Sequence, residues 1–258
     1  TDKNGETLPN PGVEYIQWPE SYPIDCEAFM KDNSGKYVKY LWDPNSYINI
    51  MVYNFTTEPN SNSVTLGISH IPFSTTGKHY LEGLGETDYS HLTLANLQFP
   101  LSVSINSLYI NEESTPTEYS TADIAVTLAH ELGHYLGLHH VFAETDNGTC
   151  EDTDYCKDTK SYNKQEYDSN CDYIYENERA KYTFENLVKR TGCDGIEFIS
   201  YNIMDYAISY SNQFTQNQRE RIRHVLSYSP LIPGPKKGDI DTRALNEGPL
   251  DLPIRTIK

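Results

Sequence analysis

Three stretches in the first half of the chain carry the short-period patterning of β-strands. Tyr47 to Phe55 (YINIMVYNF) runs apolar in β-branched and aromatic residues, Val64 to Ile71 (VTLGISHI) repeats it, and Leu101 to Ile110 (LSVSINSLYI) alternates as a third. After Ser120 the period lengthens: Ile124, Leu128, Leu132 and Leu136 recur every four residues, behind Ser120 and Thr121 as N-cap candidates and ahead of Gly137 at a C′ position. This predicts a helix over 120–136. Thr215 followed by Gln218 has capping-box spacing and opens a second helix through Ile222, Val225 and Leu226 to Pro230. A shorter helix is expected over 178–191, ending at Gly192. Residues 1–46 are rich in Pro, Gly and polar residues and read as an irregular N-terminal extension anchored by Trp18 and Trp42. From Ser229 the chain has Pro230, Pro233, Pro235, Pro249 and Pro253 without periodicity, which predicts an extended strap or a disordered tail.

Composition narrows the class. The 258 residues are 37% hydrophobic and 12% aromatic, which is a globular balance, and no apolar run approaches the roughly 18–20 residues that span a bilayer. A formal charge of −17 repels phosphate, so nucleic acid and anionic membrane surfaces are poor partners. Thr1 to Asn10 has neither a basic nor an apolar signal region, so any export signal has been removed or was never present. Cys150, Cys156, Cys171 and Cys193 cluster, and four such cysteines suggest two disulfides in an oxidising compartment; three pairings are open. Cys26 stands alone and reads as a buried or unpaired thiol. The sequons at Asn54 and Asn147 matter only if the source glycosylates.

The chemistry lies on the first predicted helix. His130-Glu131-Leu132-Gly133-His134 continues through Gly137 to His139-His140, giving H-E-x-x-H-x-x-G-x-x-H. Residues four apart share a helix face, so His130 and His134 can reach one zinc ion, with Glu131 beside them placed to act on the attacking water. Gly137 can take a positive φ, ending the helix and bringing His140 round as a third ligand. Three neutral nitrogens leave a coordination position open, which is a catalytic arrangement; a structural zinc would be closed by a fourth protein ligand. A shuffled chain of this composition would show even the five-residue core roughly twice in a hundred. His139 fits no ligand slot and is expected at the surface or behind the ligands, and His70, His79, His91 and His224 are lone.

The eleven-residue pattern resembles the metzincin zinc signature, and the segment Tyr201-Asn202-Ile203-Met204-Asp205-Tyr206, with Met204 64 residues after His140 (204 − 140), resembles the N-x-M-D-Y methionine turn of the pappalysin family. Gly137 to Phe142 is similar to that family's G-L-x-H-x-F continuation, and Asp154 to Thr159 to its D-x-x-x-D-T segment. The resemblance covers roughly residues 47–228; Lys160 replaces the family's proline, and the insert from Cys171 to Cys193 matches no pattern. It implies that Met204 forms a hydrophobic floor under the imidazoles, that Tyr206 stabilises the oxyanion, and that cysteines of this stretch form disulfides. The crossed pairing Cys150–Cys171 with Cys156–Cys193 is one of the three possible. It also implies that Asp154 and Thr159 are candidate calcium ligands. The chain further resembles zinc-dependent metalloproteinase lipoproteins of gut bacteria, which would place a lipid-bearing cysteine ahead of Thr1.

The resulting expectation is an α/β (α+β) metzincin fold: a twisted mixed sheet with the zinc helix above the cleft, and an irregular, disulfide-linked lower half carrying the Met-turn and last helix. The divisions are 1–46, an upper subdomain 47–140, a lower one 141–228, and a Pro-rich tail 229–258. The expected function is an extracytoplasmic zinc endopeptidase, secreted, periplasmic or lipid-anchored, that binds its peptide as an extended strand along the sheet edge. Zinc hydrolysis of a non-peptide amide or ester, and a non-catalytic binding module, are the alternatives.

Overall fold

The computed structural model describes residues 2–3, 5–57, 64–89, 91–144, 150–237 and 254–257. Each of the three predicted strands is present in shorter form: β1 is Ile50–Tyr53, β2 is Gly67–His70, and β5 is Val103–Asn106. Between the last two, β3 (Phe73–Thr75) and β4 (Gly85–Thr87) form a small parallel pair. The main sheet is mixed, in the order β1-β5-β2-β8: β1 runs parallel to β5, and β2 runs antiparallel to β5. Its last member, β8 (Ile254–Ile257), comes from the segment read as a strap. It pairs antiparallel with β2 from Gly67↔Ile257 to His70↔Ile254. Its pattern is too short to register as periodicity, and an existing strand edge supplies the pairing that its own sequence does not announce.

Period-two alternation sorts side chains to the two faces of this sheet. Val103 and Ile105 face a core of Leu41, Leu101, Tyr135, Val225 and Leu231, against which Leu128, Leu132 and Leu136 pack. Leu128 and Leu132 belong to α2 (Ile124–Tyr135), the predicted helix, and Leu136 is its C-cap; their four-residue spacing is the stripe that meets the sheet. The first turn is capped by Asp123, whose carboxylate accepts from the amides of Ala125 (2.9 Å) and Val126 (3.1 Å), rather than by Ser120 or Thr121. An acceptor directly before the helix reaches the second and third amides, which residues two or three positions earlier cannot. On the opposite face Tyr53 and Ile68 meet Phe29, Met30 and Trp18, so α1 (Cys26–Lys31) forms a third layer that the pattern of residues 1–46 did not signal. Trp42 donates from its indole to Glu14 at 2.6 Å.

Beyond α2 come two long helices with short elements between them. The helix expected over 178–191 is α4 (Phe184–Leu187), followed by a hairpin of β6 (Lys189–Thr191) and β7 (Glu197–Ile199). The longer helix is α3 (Lys164–Asn177), capped by Asn163 onto the Glu166 amide at 3.1 Å; none of its residues is buried, so it has no apolar stripe for a sequence pattern to detect. The last helix, α5 (Gln216–Tyr228), keeps the predicted capping box at Thr215 and Gln218.

Two disulfides were expected and one is present, Cys150–Cys193, which ties the stretch after the zinc signature to the β6–β7 turn. Cys156 and Cys171 are free thiols, as is Cys26. Cys156 is sealed inside the turn that starts at Asp154, where burial pushes its thiol up to about 12, and Cys171 sits on α3. Asn147 and residues 238–253 lie outside the described residues.

Alkylation of the denatured, unreduced protein is therefore expected to label three cysteines and, after reduction, five; labelling of one alone would reveal a second bridge. A second expectation concerns acid. Buried His70 is neutral, accepting from the Ser102 amide and donating to the Met30 carbonyl, and burial lowers its proton affinity to about 4. The unfolded chain binds that proton near 6.5, so the unfolded state holds more protons between pH 6.5 and 4 and stability falls as pH drops through that window. This single group contributes up to about 3 kcal/mol, and urea midpoints for His70→Asn should flatten over that interval.

Candidate metal centre and catalytic site

The helix delivers His130 and His134 one turn apart, and its end delivers His140. Gly137 has φ +90°, and the amide of Leu138 closes back on the Gly133 carbonyl at 2.9 Å, so the chain reverses direction one residue past the helix. A Cβ at 137 would lie 2.7 Å from Val225 Cγ2, so both the conformation and the space call for glycine. Arg221 of α5 fixes the same turn by donating from its guanidinium to the Gly137 carbonyl at 3.1 Å and to the Glu82 carbonyl at 2.9 Å.

The three Nε2 atoms lie 3.0, 3.1 and 3.2 Å apart. Each ring spends its other nitrogen on an acceptor: His130 Nδ1–H donates to the Ile203 carbonyl at 2.7 Å, His134 Nδ1–H to the Leu138 carbonyl at 2.8 Å, and His140 Nδ1–H to the Glu144 carboxylate. That fixes the tautomer, so every Nε2 presents a lone pair to the centre. Burial holds all three rings neutral, His130 at about 4 and the others well below 6.5. Three lone pairs facing one another without a proton between them require a cation. Tetrahedral zinc, with bonds of about 2.0–2.1 Å, would hold its nitrogens about 3.3 Å apart, close to the spacing seen. The donor set fits zinc, and among the described residues it is the one group of three that could share an ion.

Glu131 is buried beside the histidines, and its carboxylate rests against the backbone of β2: a Cβ on Gly67 would lie 2.6 Å from Glu131 Cγ and 2.8 Å from Oε1. Met204 is fully buried, with its sulfur against Gly133 of the same helix, where a Cβ would collide. The Tyr206 ring stands edge-on to His140 with centroids 4.8 Å apart. Its hydroxyl is held in the protonated form by burial and then by the charges of Glu131 and Glu144, and it donates to the Thr256 carbonyl at 2.6 Å.

Several residues that build the site were given no role in the sequence. Asp205 accepts from the Tyr162 hydroxyl (2.6 Å), the Tyr206 amide (2.8 Å) and the Ser200 hydroxyl, and pairs with fully buried Arg190 at 3.3 Å. Gln218, recognised only as half of a capping box, exchanges two amide hydrogen bonds with Asn202 at 2.9 and 3.1 Å, and Asn202 in turn accepts from the Met204 amide. The start of α5 thereby sets the Met-turn. Glu144 shows no signal beyond its place four residues after His140. His139 is not at the surface: it is buried, with its Nε2 at 2.9 Å from the Gly83 carbonyl. Asp154 and Thr159 fall in one turn, but Asp154 Oδ1 accepts from the Cys156 amide, Thr159 donates to the Cys156 carbonyl, and Asp158 caps α5 through the Asn217 amide. Among the described residues they gather no third ligand.

A model of the peptidase family described as pregnancy-associated plasma protein-A matches residues 32–227, about three quarters of the chain. The chain belongs to that family. Extracellular metalloproteases of Arthroderma benhamiae and Trichophyton verrucosum are each 37% identical over 97 residues, as is that of Arthroderma otae. The match covers 37% of this chain and 29% of each relative, so the chain spans less than a third of their length. Mature mirolysin of Tannerella forsythia, solved with a cleaved peptide, superposes at TM-score 0.43 and 21% identity over 75% of this chain and 58% of that one. The metallopeptidase family and the three-histidine centre agree on the kind of site. No helix among the described residues is long and apolar enough to cross a membrane.

Replacing the Glu144 carboxylate should weaken the centre without unfolding the chain. Glu144→Gln is expected to lower zinc affinity by roughly 10–100-fold, read by competition with a chelating dye, with the far-ultraviolet spectrum unchanged.

Proposed function

We propose that this chain is a zinc-dependent endopeptidase acting outside the cytoplasm. The observation that carries the reading is the convergence of three neutral Nε2 lone pairs directly beside a buried carboxylate, Glu131, on the helix that flanks the sheet edge. When bound, zinc supplies a Lewis acid that polarises the scissile carbonyl and brings the pKa of water toward 7. His130, His134 and His140 hold it, and Glu144 orients His140 through Nδ1. Glu131 takes the proton from the attacking water and passes it to the departing amine, the general-base then general-acid sequence that one positioned carboxylate can perform. Tyr206 stays protonated and donates to the oxygen that becomes negative as the carbonyl is attacked. The substrate lies as an extended strand along the sheet edge, where main-chain pairing gives affinity independent of side chains. The Cys150–Cys193 bridge and the relatives named as extracellular support an oxidising compartment. In the same reading, the turn from Asp154 to Thr159 is the place for a calcium ion, with buried Asp154 Oδ2, which lacks a hydrogen-bond partner, as a ligand atom.

Mass spectrometry of a diverse peptide mixture incubated with the zinc-loaded protein tests this. Internal cleavages are expected, and Glu131→Gln should lower them by at least about 10³-fold while zinc content stays at one per chain. Tyr206→Phe should reduce kcat by roughly 10²-fold. Absence of cleavage from the zinc-loaded wild-type chain, or cleavage that survives Glu131→Gln, would overturn the reading.

A further inference from the structure

The histidines and Glu131 are 0–3% exposed, although an endopeptidase must admit a polypeptide to them. Beside the site lies β8. It takes the outer edge of β2, the strand whose Gly67 touches Glu131, and it lies against α2. It runs antiparallel to β2. The Tyr206 hydroxyl donates to the Thr256 carbonyl at 2.6 Å, the bond assigned above to the carbonyl under attack, and this puts the Thr256–Ile257 peptide in the scissile position. One residue upstream, Arg255 turns to the opposite side of the strand and places its guanidinium 3.5 Å from Glu144, the carboxylate that also holds His140. Ile254, on the other side, packs with Trp18, Phe29 and Ile68. The segment is therefore seated by main-chain pairing, by one ion pair and by one apolar contact.

We propose that residues 254–257 are an intramolecular occupant of the substrate cleft, seated in substrate register, and that the site opens only when this strand leaves β2. The inference rests on the endopeptidase reading for its register and its consequence, though not for the pairing of this strand with β2. It assigns a subsite as well: Glu144 receives a basic side chain at the residue preceding the one whose carbonyl is attacked. A tethered strand competes at an effective concentration near the millimolar range, well above a dilute peptide substrate, so the closed form holds activity down chiefly through apparent KM.

The test uses the full chain with a recognition site for a sequence-specific protease inserted within residues 238–253, loaded with zinc and cut after folding. Cutting is expected to raise kcat/KM on a fluorogenic peptide at least 10-fold with little change in kcat, and to speed hydrogen exchange at the Gly67–His70 amides. A labelled peptide of residues 250–258 should bind the cut, dialysed protein and compete with substrate, and its Arg255→Glu version should bind at least 10-fold more weakly. In the uncut chain, Arg255→Glu should raise kcat/KM several-fold, so the result does not depend on the cut strand dissociating. Unchanged exchange and kinetics in both forms, with no binding of the 250–258 peptide, would overturn the inference and leave the peptidase reading intact. Binding of that peptide and faster exchange without hydrolysis of any substrate would uphold the seating and overturn the peptidase reading instead.

Discussion

The structure turns on an arrangement that would be unfavourable without a cation: three uncharged imidazoles whose Nε2 lone pairs point at one another from about 3 Å. Nothing in the helix alone would hold them so. Each ring is pinned from behind by a different part of the chain, one by the Met-turn backbone, one by the reversal at Gly137 and one by a carboxylate. The folding of distant segments is therefore aimed at orienting nitrogens, and the free energy that holds the rings is gathered from hydrogen bonds outside the cluster. Burial adds to this by keeping the rings from protonating, since a charged imidazolium in that position would lose its solvation and gain a repulsive neighbour.

The segment around residues 200–211 shows how a stretch without regular structure is nevertheless fixed in place. Its fixed point is Asp205, which is enclosed by two hydroxyls, an amide and a guanidinium. A buried ion pair of this kind adds little net stability over a well-packed apolar core, but it cannot be satisfied in more than one geometry. Arg190 also donates to the carbonyls of Leu187 and Ile208, so the β6–β7 hairpin and the segment after the Met-turn are located by one side chain. With the Cys150–Cys193 bridge closing the other side, the turn at 201–206 is positioned from several directions without a helix or sheet of its own.

What could be read from the sequence was whatever repeats or has a fixed spacing. The four-residue stripe of Ile124, Leu128, Leu132 and Leu136 named its helix, and the histidines at fixed intervals on it named the centre; both signals are local. The strand at 254–257 and the helix at 164–177 were not legible. The first borrows its order from a partner edge, and the second has no buried face. Glu144 and Arg190 escaped for a related reason: a residue that supports a ligand is defined by what it touches across the fold, and a lone charged residue carries no spacing that betrays it; Asp205 stood inside the quoted turn motif, but its partners Arg190, Tyr162 and Ser200 did not. The cysteines misled because spacing can count possible bridges but cannot say that Cys156 is sealed inside a turn.

The close approach of Gly67 to Glu131 makes the sheet edge and this buried carboxylate one mechanical part. With no side chain between them, a strand that pairs with β2 and draws it by a few tenths of an ångström shifts the wall on which the carboxylate rests. Whatever pairs with the outer edge of β2 is in this way coupled, through backbone alone, to the position of a buried carboxylate one strand away.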